Sequence, residues 1–135
     1  LDSMNSRKAT KESVEYCNRA LKILRNSGRG NVDLIRAGRE AGKAIEIAGT
    51  NLLHSLSYPL TGHYGVSHGL ALGYFLPKIS KLIGNDVSDI IEQYENFTMD
   101  FNIDLEMVVD EALKYDKIYE CNIFIDKSIL MEVLK

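Results

Sequence analysis

Several residue types are scarce in this 135-residue sequence, and each scarcity excludes a class of protein. There is no tryptophan, and there are only two prolines and two cysteines. Cys17 and Cys121 are too few and too far apart for a disulfide framework or a cysteine-rich zinc site, so we expect two buried thiols in a reducing cytoplasm. With 45% hydrophobic and 26% charged residues, the composition is typical of a folded domain rather than a disordered chain.

Long apolar runs and blocks of like charge are also missing. The apolar stretch from Leu70 to Leu76 is far shorter than the roughly 20 residues needed to cross a bilayer, and no signal peptide is recognisable. The net charge of -3 is mixed along the chain, without a basic segment interleaved with aromatic residues. We therefore expect a cytoplasmic protein that has neither a membrane nor nucleic acid as a partner.

The sequence does contain clear helical periodicity. A first helix is predicted from Thr10 to Arg25, ended by Asn26-Ser27-Gly28. Its apolar residues recur at three- and four-residue steps, at Val14, Cys17, Leu21 and Leu24. The chain is long enough for one domain, but short for an enzyme with separate cofactor and substrate lobes.

A second helix is predicted from Asn31, acting as its cap, to Ser57, and Pro59 is expected to end it. Small residues recur along it at helical spacing, at Ala37, Ala41, Ala44 and Ala48, with Gly38, Gly42 and Gly49 beside them. Small side chains let another helix approach closely, so we expect a central, buried helix. The preceding Gly28-Arg29-Gly30 lacks a strand before it and is interpreted as a turn rather than a phosphate-binding loop.

Shorter helices are expected in the rest of the chain. Gly62 and Gly65 indicate a loop, after which Ser67 is expected to cap a helix through Phe75 that Pro77 limits. Further helices are predicted over residues 86–97 and 105–115 and after Asp126, the last with an apolar stripe of Ile129, Leu130, Val133 and Leu134. Only residues 122–125 look extended, so the predicted fold class is an all-α helical bundle.

All three histidines fall within fifteen residues, from His54 to His68 with His63 between them. His54 lies near the end of the predicted second helix and His68 at the start of the third, across a turn that could bring both imidazoles to one point. Neutral imidazole is a good ligand for Fe(II), Zn or Co. Two histidines do not make a metal site without further ligands, and the alternative is that both are polar residues with hydrogen-bond partners.

Two nearby side chains are candidate substrate contacts. Tyr58 follows His54 by one helical turn and should share its face, so its phenol could stand near a metal-bound substrate. Ordinary packing is the alternative for this tyrosine. His63 falls in the predicted loop and could contact substrate, solvent or neither.

A longer pattern surrounds the two outer histidines. It consists of Ala41-Gly42-Lys43-Ala44, Gly49-Thr50, His54, Tyr58-Pro59-Leu60, His68-Gly69 and Pro77. This pattern resembles the second signature of the iron-containing alcohol dehydrogenases, in which two metal-binding histidines stand fourteen positions apart and the second is followed by glycine. The resemblance implies that His54 and His68 bind Fe(II) or Zn.

The resemblance extends in both directions, because residues 1–6 and the segment from Asn122 onward look like parts of the same family's C-terminal helical domain. It implies that residues 1–135 are this metal-binding domain, with the dehydroquinate synthase-like fold, lacking the N-terminal dinucleotide-binding domain. It also implies that an aspartate and a histidine that complete the metal shell lie outside this chain. The expected activity of the intact enzyme is NAD(P)-dependent interconversion of small alcohols and aldehydes.

The same resemblance sets expectations for this chain alone. We expect it neither to bind NAD(P) nor to catalyse the reaction without an N-terminal partner domain, and we expect an exposed apolar face that favours a homo-oligomer. Tyr58 stands where many members carry a third histidine, so that histidine's proton-relay role is not carried over. Tyr58 is assigned to the substrate pocket, and His63 is a candidate substrate contact.

Alternatives remain open for the substrate and for the class of function. The run Ser57-Tyr58-Pro59-Leu60-Thr61 resembles family members that reduce phosphonate-bearing aldehydes. A stand-alone helical binding or oligomerisation module without catalysis is one alternative. A dehydroquinate synthase-like lyase fragment is another, although that type usually has glutamate after His-Gly, where this chain has Leu70.

Overall fold

A computed structural model describes residues 1–26, 30–94 and 102–135. In order, its elements are α1 (Lys11–Asn26), α2 (Asn31–Ala48), α3 (Leu52–Tyr64), α4 (His68–Leu82), α5 (Ser88–Tyr94), α6 (Leu105–Ala112), the 3-10 helix η1 (Asp116–Glu120) and α7 (Lys127–Leu134). Within these described ranges there is no β-strand, only an isolated antiparallel bridge between Ser6 and Cys121. The all-α prediction is confirmed. None of the described helices is long and apolar enough to cross a membrane.

The helices α1 and α2 pack side by side in opposite directions. Arg19 of α1 donates from Nε to Glu40 of α2 at 2.8 Å, and Lys43 of α2 lies 5.0 Å from the centre of the Tyr16 ring of α1. The later residue of α1, Arg19, thus faces the earlier residue of α2, Glu40. The two helices therefore form an antiparallel hairpin. The alanines Ala37, Ala44 and Ala48 form the buried side of α2.

The main core lies around α3, which contacts α4, α6 and η1. Its largest fully buried side chains come from five elements and are Leu52, Leu56, Leu60, Phe75, Ile79, Val108, Val109, Ile118 and Leu130. Burying a side chain of this kind contributes roughly 1.5 to 3 kcal/mol relative to leaving it in water. The central buried helix of the domain is therefore α3.

The prediction of one continuous helix from Asn31 to Ser57 is wrong. Gly49 follows α2 with φ 71° and ψ -170°, a conformation that only glycine adopts readily. The chain turns there, and Asn51 begins α3 by accepting a hydrogen bond from the amide of Leu52. The expectation that the small-residue helix is central and buried is also wrong, because Gly38 and Gly42 of α2 are exposed.

The two prolines do not end helices, contrary to the sequence-based expectation. Pro59 lies inside α3 and Pro77 inside α4. Proline in a helix interior costs about 3 kcal/mol or more because it removes a hydrogen bond and crowds the preceding turn. In α3 the fully buried Leu56 and Leu60 flank Pro59, so tertiary packing outweighs that cost.

Capping and helix ends agree with the sequence in some places and differ in others. Asp126 caps α7 as predicted, accepting from the amide of Ile129 at 2.8 Å. Asn31 is not a cap, because Gly30 occupies that position, and Ser67 precedes α4 without a capping hydrogen bond from its side chain. Helix α6 ends three residues before the predicted end at 115. Parts of three predicted features lie outside the described residues. They are Ser27, Gly28 and Arg29 of the predicted helix stop and turn, and residues 95–97 of the helix predicted over residues 86–97.

Both cysteines are buried free thiols, as predicted. Burial raises the pKa of the Cys17 thiol and of the Cys121 thiol. A raised pKa leaves less of the nucleophilic thiolate at neutral pH, so these side chains act as small core residues.

The first ten residues cross the domain and hold its parts together. The amide of Arg7 donates to the carbonyl of Glu120 at 2.7 Å, and the amide of Asn122 donates to the carbonyl of Asn5 at 2.8 Å. Ser3 donates from Oγ to the carbonyl of Gly49 at 2.7 Å. This leading segment is thereby fixed against the turn between α2 and α3, which brings Asp2 to the beginning of α3.

Two glycine substitutions should have opposite effects on stability. Gly49→Ala is expected to lower the free energy of unfolding by about 1 to 3 kcal/mol, because alanine is strained at this positive φ. Gly42→Ala, at an exposed helical position with open space around the new methyl group, is expected to raise it by about 1 kcal/mol. Urea denaturation followed by circular dichroism measures both, and equal effects at the two positions would contradict the assigned break at Gly49.

Candidate metal centre

The imidazoles of His54 and His68 lie close together. His54 is the third residue of α3 and His68 the first residue of α4, and their ring centroids are 5.3 Å apart at an interplanar angle of 55°. The amide of Val66 bonds back to the carbonyl of Leu60, so the chain reverses over residues 65–67 and returns along α3. The predicted turn exists, but only Gly65 belongs to it, in the left-handed conformation with φ 65°.

Asp2 holds the beginning of α3 and the ring of His54 together. Its Oδ1 accepts from the amide of Leu53 at 3.0 Å. Its Oδ2 accepts from the amides of Asn51 at 2.9 Å and His54 at 3.0 Å. The same Oδ2 lies 2.8 Å from Nδ1 of the His54 ring. One carboxylate therefore satisfies three backbone donors and one imidazole.

The ionisation of Asp2 follows from these contacts. The side chain is only 4% exposed, and such burial by itself raises the pKa of a carboxyl group. The hydrogen bonds from the His54 ring and from the amides of Leu53, Asn51 and His54 favour the charged form and outweigh burial, so the pKa of Asp2 is lowered from its ordinary value. A buried negative charge therefore stands next to His54 at neutral pH.

His68 is held by contacts from α3. Its Nδ1 lies 3.4 Å from Oγ of Ser57, and that hydroxyl donates its own proton to the carbonyl of His54 at 2.7 Å. The ring of Tyr58 stacks near His68, with centroids 6.2 Å apart and an interplanar angle of 14°. The Tyr58 ring also packs against the Tyr115 ring in a T-shaped arrangement, with centroids 5.2 Å apart.

His63 does not join this group. It lies in the last turn of α3 rather than in a loop, which corrects the predicted location, and its side chain is exposed. It follows His54 by nine positions, and nine steps of about 100° place it roughly on the opposite side of the helix. Of the residues singled out from the sequence, the structure thus brings together His54, Tyr58 and His68.

The separation of the two imidazole rings is compatible with two ligands of one metal ion. Metal–nitrogen bonds of about 2.0 to 2.1 Å around a tetrahedral centre place two imidazole centroids roughly 5 Å apart, which matches the 5.3 Å observed. Across residues 1–26, 30–94 and 102–135, no group of three or more histidine, cysteine, aspartate or glutamate side chains gathers to hold a metal. Among the described residues, the candidate donors at this place are thus the two imidazoles of His54 and His68.

An apolar cavity of about 150 Å³ borders the carboxylate side of this group. Asp2 and His54 contribute to its lining, and the remaining lining residues are mostly aliphatic, including Leu21, Leu24 and Ile45. Low-dielectric surroundings strengthen hydrogen bonds to a charged group, because water competes less for the donors. Because the Asp2 side chain is only 4% exposed, its hydrogen bond with His54 is strengthened in this way.

Asp2 is the residue of this site that sequence reasoning missed. It precedes its partners by about fifty residues, and no spacing rule or motif links a carboxylate so early in the chain to the first turn of α3. The available signal was weaker: a helix that begins with Leu52-Leu53 has no acidic residue in its own first turn, so a distant anion is favoured there.

Asp2→Ala is expected to destabilise the domain by about 2 to 3 kcal/mol, because it leaves buried backbone donors without an acceptor. The matched control is Asp89→Ala, which removes an exposed carboxylate paired with Arg25 and should barely move the urea midpoint, since exposed ion pairs contribute little. Equal midpoints for the two variants would show that Asp2 does not anchor α3.

Comparisons with known proteins connect this arrangement to one enzyme fold. No protein-family model matches the chain. A segment of 46 residues, 34% of this chain, is 44% identical to a phosphonoacetaldehyde reductase of Streptomyces viridochromogenes and covers 12% of that protein. Two crystal structures of iron-containing alcohol dehydrogenases, one from Thermotoga maritima, superpose with a TM-score of 0.78 at 23% identity.

These superpositions cover 98% of this chain but 44% of the solved chains, so the chain spans less than half the length of the structures it matches. The resemblance inferred from the pattern around His54 and His68 is confirmed at the level of the fold. Over nearly its whole length, this chain has the helical fold found in the iron-containing alcohol dehydrogenases.

Proposed function

We propose that residues 1–135 are the metal-binding helical domain of an NAD(P)-dependent alcohol dehydrogenase or aldehyde reductase. The observation that carries this proposal is that the ring centroids of His54 and His68 lie 5.3 Å apart in a fold shared with iron-containing alcohol dehydrogenases. The metal is Fe(II) or Zn, and its ligands from this chain are His54 and His68. When bound, such an ion polarises a carbonyl oxygen as a Lewis acid.

The residues around the pair have separate roles in this proposal. His54 and His68 fix the metal from two helices, which hold a ligand geometry better than loops do. Tyr58 lines the substrate pocket beside His68, where its phenol can donate a hydrogen bond to an alcohol or aldehyde oxygen. Because a phenol is a poorer base than imidazole at neutral pH, Tyr58 positions the substrate rather than removing its proton. His63, exposed on the far side of α3, is the weaker candidate for substrate contact.

Completion of the site requires groups beyond this pair. Two imidazoles leave half of a tetrahedral shell to other ligands, and the solved structures with this fold are more than twice as long as the chain. We propose that an N-terminal dinucleotide-binding domain supplies the remaining ligands and binds NAD(P), which carries the hydride. This chain alone is expected to bind no NAD(P).

The proposed substrate is a small aldehyde or the corresponding alcohol. Support for a phosphonate-bearing aldehyde comes from the run Ser57-Tyr58-Pro59-Leu60-Thr61 and from the similarity of a 46-residue segment to a phosphonoacetaldehyde reductase. Carbonyl chemistry also fits a site that combines a Lewis acid with a neighbouring phenol.

A second candidate is a helical module that associates with itself without catalysis. The observation in its favour is a set of exposed apolar side chains, with Val32 70%, Ile35 72% and Phe124 74% exposed. Large apolar side chains left exposed to water favour association. Their exposure is also compatible with a homo-oligomeric dehydrogenase, so metal binding is the property that separates the two candidates.

The chain is expected to bind one Zn(II) ion weakly through the two imidazoles. Isothermal titration calorimetry of the purified protein should show this binding, and His54→Ala or His68→Ala should each weaken it at least about tenfold, because a single imidazole remains. His63→Ala is the matched control and should leave the affinity unchanged. A wild-type chain that binds no metal would favour the module without catalysis, and equal losses in all three variants would reject the assigned pair.

The purified 135-residue chain is expected to show no NAD(P)-dependent oxidation of small alcohols, even with Fe(II) or Zn(II) added. The physical reason is the half-filled metal shell and the proposed location of the dinucleotide site in another domain. Absorbance at 340 nm measures nicotinamide reduction directly. Turnover above a metal-only control would contradict the proposed division between domains.

A further inference from the structure

We propose that Asp2 is the positioning residue of the metal centre: its carboxylate fixes the His54 ring with the proton on Nδ1 and leaves Nε2 as the metal-binding nitrogen. The inference rests on the proposed function, because it assigns a role relative to the metal held by His54 and His68. It adds a residue that the histidine signature does not contain.

The first step of the argument is the proton on His54. A charged carboxylate only accepts hydrogen bonds, so the 2.8 Å contact between Oδ2 of Asp2 and Nδ1 of His54 requires the proton to lie on Nδ1. A neutral imidazole then has its lone pair on Nε2. A carboxylate behind a metal-bound histidine is a common way to fix both the ring orientation and the ligating nitrogen.

The second step is that the same oxygen also fixes the backbone of His54. Oδ2 accepts from the His54 amide at 3.0 Å as well as from its ring. Oδ2 of Asp2 therefore fixes the position of both the backbone and the ring of His54. Rotation of the imidazole away from this oxygen would leave the buried charge with fewer donors. With Asp2 only 4% exposed, water is a poor replacement for the lost contact.

The third step is the matching arrangement on the other ring. The hydroxyl of Ser57 donates its proton to the carbonyl of His54. Its oxygen, 3.4 Å from Nδ1 of His68, can therefore only accept a hydrogen bond from that ring. This contact favours the same tautomer on His68, although more weakly than a carboxylate does. Both rings are thereby arranged to present Nε2, the nitrogen that lies farther from the backbone.

A purely structural role for Asp2, as a cap of α3, is the competing explanation. Both roles would destabilise the protein on mutation, so stability cannot separate them. The His54 tautomer in the metal-free protein does separate them, since a cap acts on backbone amides and has no effect on which ring nitrogen carries the proton.

The test uses the metal-free, ¹⁵N-labelled chain and long-range proton–nitrogen NMR correlations at about pH 8, where imidazoles are ordinarily neutral. Wild-type His54 should carry its proton on Nδ1, and Asp2→Asn should shift it toward a mixture of tautomers. The exposed His63 serves as the internal reference, and Asp89→Asn as the matched charge control should leave the His54 spectrum unchanged. A wild-type His54 protonated on Nε2, a result that needs no variant to fold, would overturn the proposal, as would an unchanged tautomer in Asp2→Asn.

Zinc titration of the same proteins supplies the second readout. Asp2→Asn is expected to weaken Zn(II) binding about 10- to 100-fold, the usual effect of losing an outer-shell partner, whereas Asp89→Asn should match the wild type. Zinc binding by the wild type with no loss in Asp2→Asn would overturn the positioning role and leave the proposed function standing. No zinc binding by the wild type would overturn the proposed function, even where NMR shows the expected His54 tautomer.

Discussion

The hydrogen bonds to the buried carboxylate of Asp2 are the constraint on which the rest of the site depends. Taking a charge out of water is costly unless the charge is paired and fully hydrogen-bonded. Asp2 meets that condition with donors from Asn51, Leu53 and His54. Because these donors begin α3, the cost of burying the charge is offset only when the leading segment, the α2–α3 turn and the first turn of α3 are all in place.

The remainder of the domain is arranged around that junction. Ser3 bonds to Gly49, Arg7 bonds to Glu120 at the end of η1, and Asn5 bonds to Asn122 just after it. The α1–α2 hairpin is thereby attached to a core to which it contributes few of the large buried side chains. Helix α4 then returns along α3 and brings His68 beside Ser57 and Tyr58. The two histidines consequently sit on the most deeply buried helix and on its immediate neighbour.

Local sequence signals predicted the features that depend on local energetics. The amphipathic stripe of α1 and the Asp126 cap of α7 are set by residues within a few positions of one another. Pro59 and Pro77 misled for a physical reason, since their local cost is outweighed by packing that a sequence pattern does not reveal. The break at Gly49 was missed because glycine is both a tolerated helical residue and the residue best suited to a positive φ.

The candidate site also contains features that local sequence signals predicted and features that they did not. The spacing of His54 and His68 predicted their convergence, although the supposed turn included Pro59 and Gly62, which are helical. The prediction that His63 lies in a loop was wrong because α3 continues through Pro59 and ends only at Tyr64. Asp2 had no local signal, since its contacts join segments about fifty residues apart and depend on how the leading segment crosses the domain.

The placement of both histidines in the first turns of helices has a consequence for the charge of the site. Helix N-termini carry a partial positive charge, and His54 and His68 stand in the first turns of two helices. The negative charge of Asp2, one imidazole ring away from this point, opposes that positive field. In the proposed metal site, a single buried anion would thus offset the repulsion between two helix dipoles and a cation.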